Sequence, residues 1–155
     1  MNQNLSIPSL LLRRLLVYLL AVGVAYGLAV AMATQSVIAS LAAMGIPVSP
    51  GERLSMTVQD LAGMAPMFLP MVAFGLLCAF MTAALLCRWR AAWRIPLYVL
   101  AGAAGIVTIH LLLHLAFQIT PVAAARSPGG LLLQALAGAV GGLVYISLRQ
   151  SRLSG

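Results

Sequence analysis

Long apolar runs separated by short polar segments make up most of this chain. Four runs contain no Asp, Glu, Lys or Arg: residues 15–33, 64–86, 96–118 and 131–148. A helix of about 20 apolar residues crosses the hydrocarbon core of a bilayer, so each run is predicted to be a transmembrane helix. Four such spans with short connections predict an all-α integral membrane protein, a single membrane domain folded as an up-down four-helix bundle.

The longest connection, residues 34–63, is predicted to lie outside the cytoplasm. Thr34-Gln35-Ser36 marks the exit from the membrane, and Ser49, Pro50 and Glu52 form a helix start with a serine cap, a proline in the first turn and a glutamate three residues after the cap. We therefore predict a short interfacial helix over about residues 50–61, followed by a separate second span.

The N-terminal region permits a second interpretation. Arg13 and Arg14, an apolar run and Ala31-Met32-Ala33 together imitate a signal peptide with a small-residue cleavage site. The apolar run exceeds the usual signal-peptide core of about 7–15 residues, which favours a retained span. Cleavage within residues 1–33 is the alternative.

The composition excludes a water-soluble protein. The chain has 155 residues, of which 63% are hydrophobic and 7% are charged, whereas soluble domains have roughly 45–50% apolar and about 25% charged residues. The net charge is +7 and every basic residue is arginine, which we attribute to a GC-rich bacterial genome. The arginines stand at the ends of apolar runs and form no nucleic-acid-binding motif, so anionic phospholipids are the expected partner and nucleic acid is not.

The distribution of arginines predicts the orientation. With four spans, one side of the membrane receives two arginines and the other receives seven. The two are Arg53 and Arg126; the seven are Arg13, Arg14, Arg88, Arg90, Arg94, Arg149 and Arg152. Because positive charge is enriched in cytoplasmic loops, both termini are predicted to be cytoplasmic, in a bacterial inner membrane.

One short loop combines positive charge with aromatic rings. Arg88, Arg90 and Arg94 alternate there with Trp89 and Trp93. Tryptophan rings and arginines are enriched at headgroup depth, so these five residues are predicted to bind lipid headgroups.

Small residues predict where helices pack closely. Gly23 and Gly27 form one GxxxG pair, Gly138 and Gly142 form another, and Gly105 adds a small position to the third span. Small residues allow close backbone approach in lipid. The leading functional prediction is a non-enzymatic subunit or accessory protein that packs against other membrane helices, with either a different membrane protein or a second copy as partner.

Two histidines, His110 and His114, lie four residues apart on one face of the third span. A neutral imidazole in a bilayer needs hydrogen-bond partners, so the favoured interpretation is a pair that joins neighbouring helices. Metal or cofactor binding, handling of protons or polar substrates, and a subunit interface are the alternatives.

The metal alternative draws on a methionine stripe. Met64, Met67 and Met71 recur at helical spacing, in the same predicted outer half as the two histidines. Thioether and imidazole ligands suit cuprous copper, and imidazole also suits zinc, so a copper-type binding or transport protein is the second functional prediction. Methionine is equally an ordinary gap-filling residue. Haem is disfavoured because both histidines lie on one helix.

Catalytic signatures are absent from the sequence. No Asp or Glu lies inside a predicted span, and the chain has no Ser–His–acid order, nucleophilic cysteine motif or phosphate loop. A non-enzymatic protein is therefore predicted, and no cofactor is favoured.

Overall fold

A computed structural model of the protein describes residues 7–117 and 127–150. Within these residues the chain is all helical, with four α-helices: α1 (Ile7–Ala43), α2 (Pro50–Trp89), α3 (Arg94–Phe117) and α4 (Pro128–Gln150). Each contains a segment that is long and apolar enough to cross a membrane. The prediction of four apolar helices is confirmed. Residues 118, 126 and 152, which also entered the predictions, lie outside the described part.

The first two helices are longer than predicted. α1 has 37 residues and α2 has 40, which makes them about 55 and 60 Å long at 1.5 Å per residue. The chain stays helical through Thr34-Gln35-Ser36, and residues 50–61 are the first turns of α2. The separate interfacial helix was therefore wrongly predicted.

Contacts with α1 explain why α2 continues without a break. Tyr26 donates a hydrogen bond to the carbonyl oxygen of Leu61 at 2.5 Å, and Thr34 donates to the carboxylate of Asp60 at 2.7 Å. Pro66 and Pro70 lie inside α2 with exposed side chains. A proline inside a helix removes one amide hydrogen bond, and α2 nevertheless runs as one helix through both prolines.

Local chemistry sets the turn between α1 and α2. Gly45 has φ of 78°, the left-handed conformation that commonly ends a helix, and its amide donates to the carbonyl of Ala42 at 3.0 Å. The Ser49 hydroxyl accepts from the Glu52 amide at 3.3 Å, and the Glu52 carboxylate accepts from the Ser49 amide at 2.8 Å. This capping box confirms the predicted start of a helix at Pro50.

The helices pack in a closed order in which α1 and α3 each contact both α2 and α4. Tyr18 donates to the carbonyl of Ala73 while Tyr26 donates to that of Leu61. Residue numbers therefore rise along α1 as they fall along the adjacent part of α2, so these two helices run antiparallel.

Many large apolar side chains lie on the outer surface of the described helices. Leucines such as Leu11, Leu15 and Leu19 are exposed on α1, and Phe74 and Leu112 are exposed on α2 and α3. A helix that is apolar all round is typical of the interior of a large protein or of a membrane. The surface is consistent with contact with a lipid bilayer.

Candidate functional site

All four described helices contribute to a buried polar junction around His110. The imidazole lies on α3 and is only 3% exposed. Phe68 of α2 lies against it, with 5.7 Å between the ring centroids. Gln134 of α4 approaches the Nε2 atom of His110 with its Oε1 atom at 3.4 Å, and its Nε2 atom donates to the carbonyl oxygen of Ala29 in α1 at 2.9 Å.

The contacts of Gln134 fix the proton on His110. The carbonyl of Ala29 only accepts hydrogen bonds, so the amide nitrogen of Gln134 must face it and the amide oxygen must face His110. That oxygen also only accepts, so the Nε2 atom of His110 carries the proton. The Nδ1 atom of His110 is then a buried acceptor, and it has no hydrogen-bond partner. His110 thus contacts a neighbouring helix through Gln134, as the sequence favoured for the histidine pair, whereas His114 is exposed.

A second polar contact joins α1 and α2 toward the turn between them. Thr34 is buried, and its hydroxyl lies 3.1 Å from the carbonyl of Val30 and 2.7 Å from the carboxylate of Asp60. The carboxylate holds the extended parts of the two helices together.

The residues of the predicted metal site differ in burial. His110 is buried, Met64 and Met71 are half-buried against the core, and His114 and Met67 are exposed, Met67 by 58%. Within residues 7–117 and 127–150, no three His, Cys, Asp or Glu side chains are close enough to hold a metal ion. The two histidines therefore do not share one buried environment, and the metal site remains a sequence-based prediction.

Three glycines form a close backbone contact between α3 and α4. A methyl group added at Gly102 would collide with the carbonyl oxygen of Gly138, and one added at Gly142 would collide with that of Tyr98. A methyl at Gly138 would also lie 2.7 Å from the Cγ1 atom of Ile106. No side chain larger than hydrogen fits at this crossing.

Other glycines serve the neighbouring contacts. Gly105, three residues after Gly102, faces α2, where an added methyl would lie 3.2 Å from the Cβ atom of Ala79 and 3.4 Å from the carbonyl oxygen of Gly75. Gly141 faces α1, and a methyl there would lie 2.8 Å from the Cβ atom of Ala25. α3 and α4 therefore each use different glycines for their two neighbours.

The first GxxxG pair, Gly23 and Gly27, does not lie at a contact between helices as the glycines of α3 and α4 do. A methyl group at Gly23 or Gly27 would meet no atom within 4 Å. The residues of α1 that pack inside the bundle are Ala21, Ala25 and Ala29, which are fully buried. The glycine pair therefore does not contribute to packing between the described helices. The alanine face of α1 makes those contacts instead.

Five arginines line one cavity of about 470 Å³ where the N-terminal part of α1 meets the C-terminal end of α4. They are Arg13, Arg14, Arg88, Arg94 and Arg149. Two of them, Arg88 and Arg94, belong to the predicted headgroup-binding loop. The other members of that loop, Arg90, Trp89 and Trp93, do not line the cavity; they are exposed, Trp89 by 89%.

Aromatic rings support this end of the bundle. Arg149 donates a hydrogen bond to the hydroxyl of Tyr98 at 3.1 Å, and its guanidinium carbon lies 6.0 Å from the centre of the Tyr145 ring. Tyr145 stacks on Phe80 with 4.6 Å between ring centroids. These contacts hold Arg149 at the edge of the cavity.

Three residues that define these sites were not predicted from the sequence: Gln134, Gly102 and Tyr98. Gln134 is the one amide inside the fourth apolar run, which was the available signal for a partner of His110. Gly102 stands four residues after Tyr98, the same spacing as that between Gly138 and Gly142 on the opposite helix. No sequence pattern distinguished the face of Tyr98 from the other faces of its helix.

No protein-family model, curated protein or solved structure matches the chain.

Proposed function

We propose that the protein is a multi-pass inner-membrane protein of a bacterium, with the four helices forming an up-down transmembrane bundle and both termini in the cytoplasm. Four membrane-capable helices and an apolar outer surface support the membrane placement. The grouping of Arg13, Arg88 and Arg149 at one cavity supports a common side for this end of the helices.

We further propose that it acts as a non-enzymatic accessory subunit that packs against a helix of another membrane protein. The observation that carries this proposal is the outward-facing pair Gly23 and Gly27, which leaves open space beside α1. Glycines four residues apart let a second helix approach closely, and in lipid such contact is a main source of helix association. The other GxxxG pair, Gly138 and Gly142, is filled by α3 of the same chain.

The buried polar groups support a structural role for the bundle. His110 uses its Nε2 proton toward Gln134, and Asp60 accepts from Thr34. These contacts join helices to each other and place no carboxylate beside the imidazole, so we assign no acid–base chemistry to them.

Purification in mild detergent from the native membrane tests the accessory role. We expect a second membrane protein to co-purify with the natural chain and to be lost from the double variant Gly23→Leu/Gly27→Leu. The matched control is Gly63→Leu on α2, another glycine with open space around it, which should retain the partner. Recovery of the natural chain alone, as a monomer or as a homodimer, would overturn the proposal of a different partner protein. Equal loss of the partner from the control would contradict the role of α1.

A further inference from the structure

The arginine-lined cavity gathers positive charge from every described helix. Arg13 and Arg14 come from α1, Arg88 from α2, Arg94 from α3 and Arg149 from α4. Ligand-binding cavities commonly have volumes of about 300–1,000 Å³, and this one has about 470 Å³. The cavity is therefore large enough for a small anionic group.

The positive charge of this cavity has no acidic counterpart in its walls. None of the described residues that line it is Asp or Glu. The acidic side chains of the chain are Glu52 and Asp60, and Asp60 lies about 42 Å from Arg88 along α2 at 1.5 Å per residue. Five like charges around one cavity repel each other, so an anion between them lowers the electrostatic energy.

The walls between the arginines are apolar. Leu10, Val17, Ala84 and Ile146 line the same cavity. A free inorganic anion gains nothing from such walls, whereas an amphiphile places its charged group on the arginines and its apolar part along the helices. The planar guanidinium group matches phosphate oxygens with two parallel hydrogen bonds, so phosphate is the anion that fits best.

We propose that this cavity binds the phosphate headgroup of an anionic phospholipid, with the acyl chains along the apolar walls. Arg149, held by Tyr98, provides a fixed contact, and the exposed Arg14 and Arg94 close around the headgroup from α1 and α3. The inference rests on the membrane placement in the proposed function and is independent of any partner at Gly23 and Gly27.

Native mass spectrometry of the full-length protein tests the proposal. The protein is titrated with phosphatidylglycerol and, separately, with phosphatidylcholine carrying the same acyl chains. We expect tighter binding of phosphatidylglycerol, weakened by added salt because salt screens charge. Each arginine near an anionic lipid surface contributes about fivefold in affinity, so the Arg14→Gln/Arg94→Gln variant is expected to lose about 25-fold. The side chains of Arg14 and Arg94 make no hydrogen bond on which the described fold depends, so the variant should fold normally.

The controls separate this cavity from general surface charge. Arg90→Gln removes a charge from the same end of the bundle but outside the cavity, and Arg53→Gln removes one beside the turn between α1 and α2. Arg53→Gln should leave binding within about twofold, and Arg90→Gln, which removes a predicted headgroup contact outside the cavity, should lose at most about fivefold. Equal affinity for the two lipids, or an equal loss in Arg90→Gln, would overturn the proposal. Inorganic phosphate that binds without lipid and displaces it at equal concentration would assign the cavity to a soluble anion instead. Loss of a partner protein in Gly23→Leu/Gly27→Leu would not affect any of these results.

Discussion

Gln134 of α4 donates a hydrogen bond to the carbonyl oxygen of Ala29 in α1, 105 residues earlier in the chain. The same amide group contacts His110 of α3 through its oxygen. One side chain therefore connects three helices, and Phe68 places the fourth against the imidazole. Hydrogen bonds between transmembrane helices contribute about 0.6 kcal/mol on average and up to about 1.7 kcal/mol.

Replacing Gln134 by Leu should destabilise the bundle. The variant removes both contacts and leaves the Nε2 proton of His110 buried without an acceptor. We expect the free energy of unfolding to fall by about 1–3 kcal/mol, measured by titrating the detergent-solubilised protein with a denaturing detergent and following helix content.

His114 provides the matched control for this experiment. It lies one turn from His110 on the same helix, but its side chain is exposed. His114→Leu should change the free energy of unfolding by no more than about 0.5 kcal/mol. If His114→Leu destabilised the protein as much as Gln134→Leu, the junction described around His110 would be incorrect.

Glycine substitutions should separate packed from open positions. Gly138→Ala places a methyl group against the backbone of Gly102 and the side chain of Ile106, so we expect a loss of about 1–3 kcal/mol from overpacking. Gly27→Ala meets no atom within 4 Å and should be neutral or slightly stabilising, because alanine favours helix over glycine. Thermal unfolding in detergent measures both, and a larger loss in Gly27→Ala would contradict the packing.

The apolar runs predicted the helices but not which face of each helix turns inward. Gly23 and Gly27 were expected to pack in the same way as Gly138 and Gly142, and only the second pair does so within this chain. In a helix that is apolar on all sides, hydrophobic periodicity carries little information about the buried face. Choosing between the glycine face and the alanine face of α1 requires the positions of the neighbouring helices.

The continuity of α2 was not predicted from the sequence, for a different reason. A helix boundary is indicated by the acidic residue, the glycine and the two prolines that follow one another here: Asp60, Gly63, Pro66 and Pro70. In the folded protein Thr34 of α1 donates a hydrogen bond to Asp60, so this carboxylate is accommodated inside a continuous helix. Such a contact, across 26 residues of sequence, cannot be inferred from local propensity.

The metal hypothesis can be tested with the exposed members of its ligand set. We expect the double variant Met67→Ala/His114→Ala to have the same copper and zinc content as the natural protein, because these side chains are exposed whereas His110 is buried. Elemental analysis of both proteins, purified in parallel after growth with added metal, gives the comparison. One equivalent of metal per chain in the natural protein, lost in the double variant, would reverse this expectation and support the copper-type function.

Cysteine labelling tests the central claim, which is that the arginine-rich end of a membrane-spanning bundle faces the cytoplasm. The natural cysteines, Cys78 and Cys87, are first replaced by alanine, and a single cysteine is then introduced as Ser55→Cys or Ala92→Cys, both at exposed positions. A membrane-impermeant maleimide is applied to right-side-out membrane vesicles before and after permeabilisation. We predict immediate labelling at position 55 and labelling at position 92 only after permeabilisation. Labelling at position 92 in sealed vesicles, with protection at position 55, would contradict it.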